Sequence, residues 1–297
     1  MPSDPDPNDN IPVYLDYTQA ELDAQYDQST LVSDIDEYRY QWLAQSAGVR
    51  EMLNCRLSVS YGDGANEKLD IFPVASGGPA PIMMFIHGGA WKTLSPDSFS
   101  FPAVRFNSAE AIWVAAGFDL LPSVSLDEQV QQNRAALAWL WRNASSFGGD
   151  PNRLFVSGHS SGGHVGSCLI QDGWRADEGL PEDIIKGAVL VSGMYDLEPV
   201  RLSARNDYVR LDRTAARRLS FLHNIPDRLP PLSLFWGEGE LQEFRRQSRH
   251  CAETLWSMDY EVEAVPVRGA NHFDLAFGFG DPDSPILRSC LGMMGLM

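Results

Sequence analysis

The stretch RLFVSGHSSGGHV, residues 153–165, decides how the rest of the chain is read. RLFVSG is apolar and β-prone, as a buried strand is. Residues 161 to about 171 follow as a helix. Between them stands Gly158-His159-Ser160-Ser161-Gly162, a G-x-S-x-G pattern at a strand-to-helix turn. Such a turn strains the backbone. Flanking glycines let neighbouring chain approach where a Cβ would collide. The turn lifts the Ser160 hydroxyl above the sheet at a helix N-terminus, with the Ser161 amide facing an oxygen in front of it. That amide is half of an oxyanion hole. Ser161 breaks the glycine spacing and is not the nucleophile.

Upstream, PIMMFIHGG is a continuous apolar run ending in glycines, which suits a central strand covered on both faces. The loop after it reads His87-Gly88-Gly89-Ala90-Trp91. Backbone amides of Gly88 and Gly89 supply the other half of the oxyanion hole. His87 braces that loop. CRLSVSYG and EKLDIFPV alternate apolar and polar residues, as antiparallel strands with one solvated face do. GFDLLPSV reads as a short strand. Ser125 caps a helix, with Glu128 completing a capping box and Leu126, Val130, Leu137 and Trp141 as its apolar stripe. Downstream, IIKGAVLVSG, PLSLFWG and YEVEAVPV are strands, and FRRQSRHCAETLW is a helix between the last two. The alternation predicts a mostly parallel sheet with helices on both faces, led by two antiparallel strands. Residues 197–230 read as an insertion over the sheet edge. Residues 14–53 read as helical, anchored by Leu22, Tyr26, Tyr38, Trp42 and Leu43, and residues 1–12 as a disordered tail.

Where an elbow of this kind carries a nucleophile, an acid and then a histidine follow it in chain order. That order removes His87, His159 and His164 as the base. Of the remainder, His223 lies in the 197–230 segment, His250 within a helix, and His272 in the loop GANHFD after a strand. Only a strand-end loop reaches across the sheet edge, which selects His272. The acid belongs after PLSLFWG, where Glu238, Glu240 and Glu243 compete and position favours Glu240. Asp196, after the preceding strand, is the alternative. Trp91, His159 and Tyr195 are read as lining a substrate pocket, with Phe99 and Phe101 as further aromatic candidates.

The bulk numbers narrow the partners. A 297-residue chain buries about 75% of its unfolded surface and needs no staples. Its 40 acidic and 23 basic residues leave a net charge of −17, which disfavours nucleic acid and anionic membranes. Four scattered cysteines and the absence of a basic, then apolar, leader predict a cytoplasmic protein with reduced thiols. No run is long enough to span a membrane. No HExxH motif or ligand spacing calls for a metal or cofactor, so a small-molecule substrate is the expected partner. A homodimer is left open.

The same residues carry a family resemblance over most of the chain. HGGAW, GHSSGGH, SGMYDLEPVRLSARND, GEGELQEFRRQS and the HF of NHFD resemble the motifs of the α/β-hydrolase fold's kynurenine formamidase (arylformamidase) group, as does YTQAELDAQYD near the N-terminus. The resemblance implies the α/β-hydrolase fold, with a mostly parallel sheet and an antiparallel N-terminal edge. It implies a single domain over residues 13–297 with a cap-like insertion near 197–230. It implies a serine hydrolase with Ser160 as nucleophile, His272 as base, and amides of Gly88, Gly89 and Ser161 as oxyanion donors. The 32-residue interval from Glu240 to His272 matches that family's acid-to-histidine spacing and selects Glu240 over Glu238. The implied reaction is cleavage of an aryl formamide such as N-formylkynurenine; the alternative is a carboxylesterase, amidase or carbamate hydrolase for another small aromatic substrate. Three positions depart from the family pattern: Glu240 where Asp is common, Ala90 for the tyrosine of HGGYW, and Phe221 for a proline.

Overall fold

The computed structural model describes residues 11–297. The tail read over residues 1–12 therefore lies outside the described residues except for its last two.

Eight strands form one sheet: β1 Arg56–Ser60, β2 Lys68–Phe72, β3 Ala80–Ile86, β4 Ile112–Ala116, β5 Gly149–His159, β6 Ile185–Val191, β7 Leu232–Gly237 and β8 Val262–Val267. Their order is β1-β2-β4-β3-β5-β6-β7-β8. β1 and β2 pair antiparallel, as does β2 with β4, and every pairing from β4 to β8 is parallel. The composition explains the division. β1 keeps its residues exposed or half-buried, whereas β3 and β4 are buried throughout. Parallel strands need covering helices, and residues buried on both faces must be apolar. Because the six central and distal strands run the same way, their C-terminal ends open onto one edge, where ligands of such sheets bind.

The helices sort around that edge. α1 (Gln19–Ala24) and α2 (Ile35–Met52) precede the sheet, α3 (Ala103–Ser108) leads into β4, α4 (Leu126–Asn143) into β5, and α5 (Ser161–Leu169) leaves it. Ser125 caps α4 with Glu128 completing the box, and Leu126, Val130 and Leu137 are buried; Trp141 is only partly so. Two core clusters flank the sheet, one holding Ile82, Met84 and Leu190 and the other Met83, Phe85 and Val189. Adjacent residues of one strand thus feed opposite layers.

Two readings change. The strand placed at GFDLLPSV is a loop, and the strand β4 is the apolar run just before it, ended by Gly117 and followed by Pro122, which lacks a ladder donor. Residues 14–53 are not one helical run. Between α1 and α2 the Asp27 side chain accepts from the Ser29 amide, and Thr30 donates to the Asp27 carbonyl. Polar side chains that bond nearby backbone compete with helix continuation. Leu43, expected as an anchor, is 49% exposed. Residues 197–230, read as an insertion over the sheet edge, hold short helices, Glu198–Leu202, Asn206–Val209 and Arg213–Leu219, and form the connection between adjacent parallel strands β6 and β7.

All four cysteines are free. Among the described residues no helix is long and apolar enough to cross a membrane.

Candidate active site

The elbow is built from close contacts. Ser160 has φ 57° and ψ −123°, outside the regions an L-residue prefers. A Cβ on Gly162 would sit 2.0 Å from the Ile86 carbonyl oxygen, and one on Gly158 would sit 2.3 Å from the Gly162 oxygen. Both positions need glycine because backbone crosses backbone there. The Ser160 amide donates to the Val191 carbonyl, which ties the turn to β6.

Three residues from three different strand ends meet at this point. Ser160 follows β5, Glu240 follows β7 and His272 follows β8. His272 Nε2 lies 2.9 Å from Ser160 Oγ, and His272 Nδ1 lies 2.6 Å from Glu240 Oε1. Glu240 Oε2 accepts from Ser192 Oγ at 2.8 Å and from the Gly237 amide at 2.7 Å. The carboxylate faces donors on both oxygens, so the imidazole presents Nδ1–H to it and an acceptor Nε2 to the serine. Ser160, His272 and Glu240 are all buried. Glu238 and Asp196 do not join them. Glu243 is paired with Arg246, and Asp196 faces Tyr14 and His223.

The loop after β3 lies against the serine. A Cβ on Gly88 would stand 3.0 Å from Ser160 Cβ. Gly89 has φ 106°, and a Cβ there would meet the Thr93 carbonyl oxygen at 2.2 Å. Among the described residues the amides of Gly88, Gly89 and Ser161 find no backbone acceptor outside regular structure. The Ser161 hydroxyl accepts from the Trp91 amide at 3.0 Å and stitches the two loops together.

A cavity of about 270 Å³ opens over Ser160. Gly89, Ala90, His159, Ser160, His272 and Phe273 form its floor; Tyr26, Trp42, Lys92 and Arg205 stand in its walls. Trp91 and Tyr195, expected as lining, do not reach it. Trp91 is buried with its indole N–H on His164 Nδ1, and Tyr195 is wholly buried against the main core. Each is a strand-end aromatic whose ring turns down into the sheet layers. Phe99 and Phe101 also pack in the core. His159 does line the cavity, but its Nε2 donates to the His272 carbonyl at 2.9 Å and steadies the loop that carries the imidazole. The aromatic faces come instead from Tyr26, Trp42 and Phe273, and Tyr38 of α2 donates to Asp274 two residues past His272. Tyr26 and Trp42 were legible as apolar anchors; that they cover a cavity was not. Ser192 had no sequence signal beyond its place at the end of β6.

Three buried histidines, His87, His159 and His164, are held neutral. Burial lowers His87 and His164 to about 4, and burial with the neighbouring His272 pushes His159 well below its ordinary range. His87 stacks on Phe118 at 4.4 Å and donates Nδ1–H to the Gly88 carbonyl. His164 donates Nε2–H to the Leu219 carbonyl. These groups hold a proton more readily unfolded, at an ordinary 6.5, than folded. Unfolding therefore takes up protons below pH 6.5, and stability falls with falling pH down to about pH 4. Each is expected to withdraw roughly 2 kcal/mol by pH 5. Urea midpoints from pH 7.5 to 5 check this, and His164→Gln, which keeps a donor and an acceptor, should flatten the slope. A stability independent of pH in that window contradicts it.

An acceptor imidazole between a buried carboxylate and a serine hydroxyl, beneath two glycine-rich loops, is machinery for nucleophilic attack on a carbonyl. Residues 83–275 match the model of the alpha/beta hydrolase fold family. The chain belongs to that family. This α/β-hydrolase is 30% identical over 258 residues to the kynurenine formamidase of Salmo salar, covering 83% of this chain and 84% of that protein. It is 27% identical to the esterase LipC of Mycobacterium tuberculosis, covering 75% of this chain and 61% of that one. A solved structure of a candidate thioesterase from Silicibacter sp. tm1040 superposes with a TM-score of 0.79 at 27% identity, covering 90% of this chain and 98% of that chain. Like these relatives, the α/β-hydrolase is an enzyme of the serine-hydrolase type.

Proposed function

We propose that the enzyme cleaves a small aryl formamide, such as N-formylkynurenine, through a Ser160–His272–Glu240 triad and a formyl-enzyme. The observation that carries this is the unbroken hydrogen-bond chain from Glu240 through His272 to Ser160 at the floor of a small, aromatic-walled cavity. The similarity to kynurenine formamidases of Salmo salar and Danio rerio supports the substrate.

In the first half-reaction Ser160 Oγ attacks the formyl carbon while His272 Nε2 takes its proton. The carbonyl π electrons move to oxygen, and amides of Gly88, Gly89 and Ser161 hold the oxyanion. One such donor contributes about 3 kcal/mol in the transition state. Collapse breaks the C–N bond as His272 returns the proton to the leaving aryl amine. In the second, water adds to the formyl ester with His272 as base, and formate leaves. Glu240 accepts the Nδ1–H throughout and stabilises the imidazolium.

Cavity size discriminates among substrates. Small-molecule sites run roughly 300–1,000 Å³, and about 270 Å³ suits one substituted ring better than a long acyl or prenyl chain. The second reading, a carboxylesterase for a small aromatic ester, draws on the esterase relatives. Measured kcat/KM for N-formylkynurenine and formanilide beside p-nitrophenyl acetate separates them. The formamidase reading expects N-formylkynurenine to be the best of the three. Far faster turnover of the ester overturns it.

A further inference from the structure

The cavity wall carries charge that the acyl-transfer steps leave unused. Arg39, Lys92 and Arg205 border it against a single carboxylate, Asp27, whose side chain already takes the Ser29 amide and hydroxyl. That is a cationic enclave in a chain of net charge −17. Two of the three cations are accounted for. Arg39 pairs with Asp36 at 2.8 Å, and Lys92 Nζ stands 4.1 Å over the Tyr208 ring. Arg205 differs. Like Lys92 it has no carboxylate within ion-pair distance among the described residues, but it also leaves a buried nitrogen without a partner. One edge of its guanidinium is fixed, since Nη2 donates to the Tyr26 carbonyl and the plane lies over Tyr26 at 5.0 Å and Phe244 at 6.0 Å. Its other terminal nitrogen, Nη1, is shielded from water and has no partner. A charged donor without an acceptor is unfavourable, and turning that edge into the cavity toward an anion satisfies it.

Position agrees. The Phe244 ring that supports Arg205 also packs edge-on against His272, with 5.0 Å between ring centroids, so one phenyl ring separates the free guanidinium from the triad. Acidic residues do lie on the adjoining groove, Asp23 and Asp207, but Asp23 accepts from the Ala204 amide and neither pairs with Arg205.

We infer that Arg205 receives a carboxylate of the substrate, so the enzyme selects acyl amides or esters that carry an anionic group on the half released as amine or alcohol. This rests on the reading of the same site given above, in which the acyl half is too small to bear the charge. Arginine suits the task because its planar fork meets both carboxylate oxygens.

The test compares matched pairs on the full-length enzyme: N-formylkynurenine with its carboxamide, and 4-acetoxybenzoate with 4-acetoxybenzamide. The wild type is expected to favour each carboxylate by tenfold or more in kcat/KM, mainly through KM, with the preference shrinking between 0.05 and 0.5 M salt. Arg205→Gln should lower the carboxylate-to-carboxamide ratio at least tenfold, and Arg205→Lys should restore part of it. A wild-type ratio near one overturns the inference without any variant. So does a variant that loses both members of a pair equally, which marks Arg205 as a support for Tyr26 only. If the ester pair is hydrolysed with the expected preference and neither formamide is, the formamidase reading fails and the carboxylate site stands.

Discussion

Ser160→Ala is expected to lower kcat by a factor of about 10⁴–10⁶ with little change in KM. The variant keeps the Cβ that touches the Gly88 region, and alanine meets no worse backbone strain than serine at φ 57°. That strain is worth about 1–3 kcal/mol and is carried by the closed packing around the turn rather than by the hydroxyl. Folding should therefore survive, and a matching thermal midpoint confirms that the loss is chemical. Because the cavity walls do not depend on Oγ, substrate should still bind. His272→Ala should fall to the same floor, and the double variant no further, since the two act as one unit. Retention of a tenth of the wild-type rate by Ser160→Ala, free of contaminating enzyme, would sink the serine mechanism.

The second large effect concerns Glu240. Its two oxygens receive three donors: His272 Nδ1–H on one, Ser192 O–H and Gly237 N–H on the other. An amide has only one accepting end. If Glu240→Gln points its NH₂ at Gly237, two donors confront each other in a buried site. If it points the NH₂ at His272, the imidazole must accept at Nδ1 and carry its proton on Nε2, where it cannot take one from Ser160. The second outcome removes the base and the first leaves it without a negative charge to stabilise its imidazolium, so kcat should drop by on the order of 10⁴. Glu240→Asp keeps the charge and shortens the reach, so it should cost less than the amide. The ratio of the two variants is the measurement. Equal activity of Gln and Glu at this position would remove Glu240 from the triad and reopen the choice among the acids.

What could be read ahead of the structure follows from where the information is local. Ser160, Glu240 and His272 were selected by strand-end position and chain order, and their side chains do meet. Each sits in a turn whose glycines mark it, so a short window suffices. The walls of the cavity were not legible in this way. Tyr26 and Trp42 looked like ordinary apolar anchors, and nothing local distinguishes a ring over a core from a ring over a void. Trp91 and Tyr195 failed for the converse reason. Adjacency in sequence to a catalytic motif says little about which side of the sheet a ring takes. The misplacement of β4 has another cause, since Phe118, Leu120, Leu121 and Val124 imitate a strand by composition while Pro122 cannot serve a central ladder.

The roof of the cavity comes from residues 26–42 and from Arg205 of the β6–β7 connection, whereas the proposed triad comes from the ends of β5, β7 and β8. Two separate inheritances meet in one space. The sheet's strand ends tolerate almost no change, because backbone abuts backbone at Gly158 and Gly162. The roof reaches the floor through side chains such as Tyr38, which donates to Asp274 beside His272 and can be exchanged singly. A lineage built on this plan can change its diet by editing its opening residues while its chemistry stays untouched.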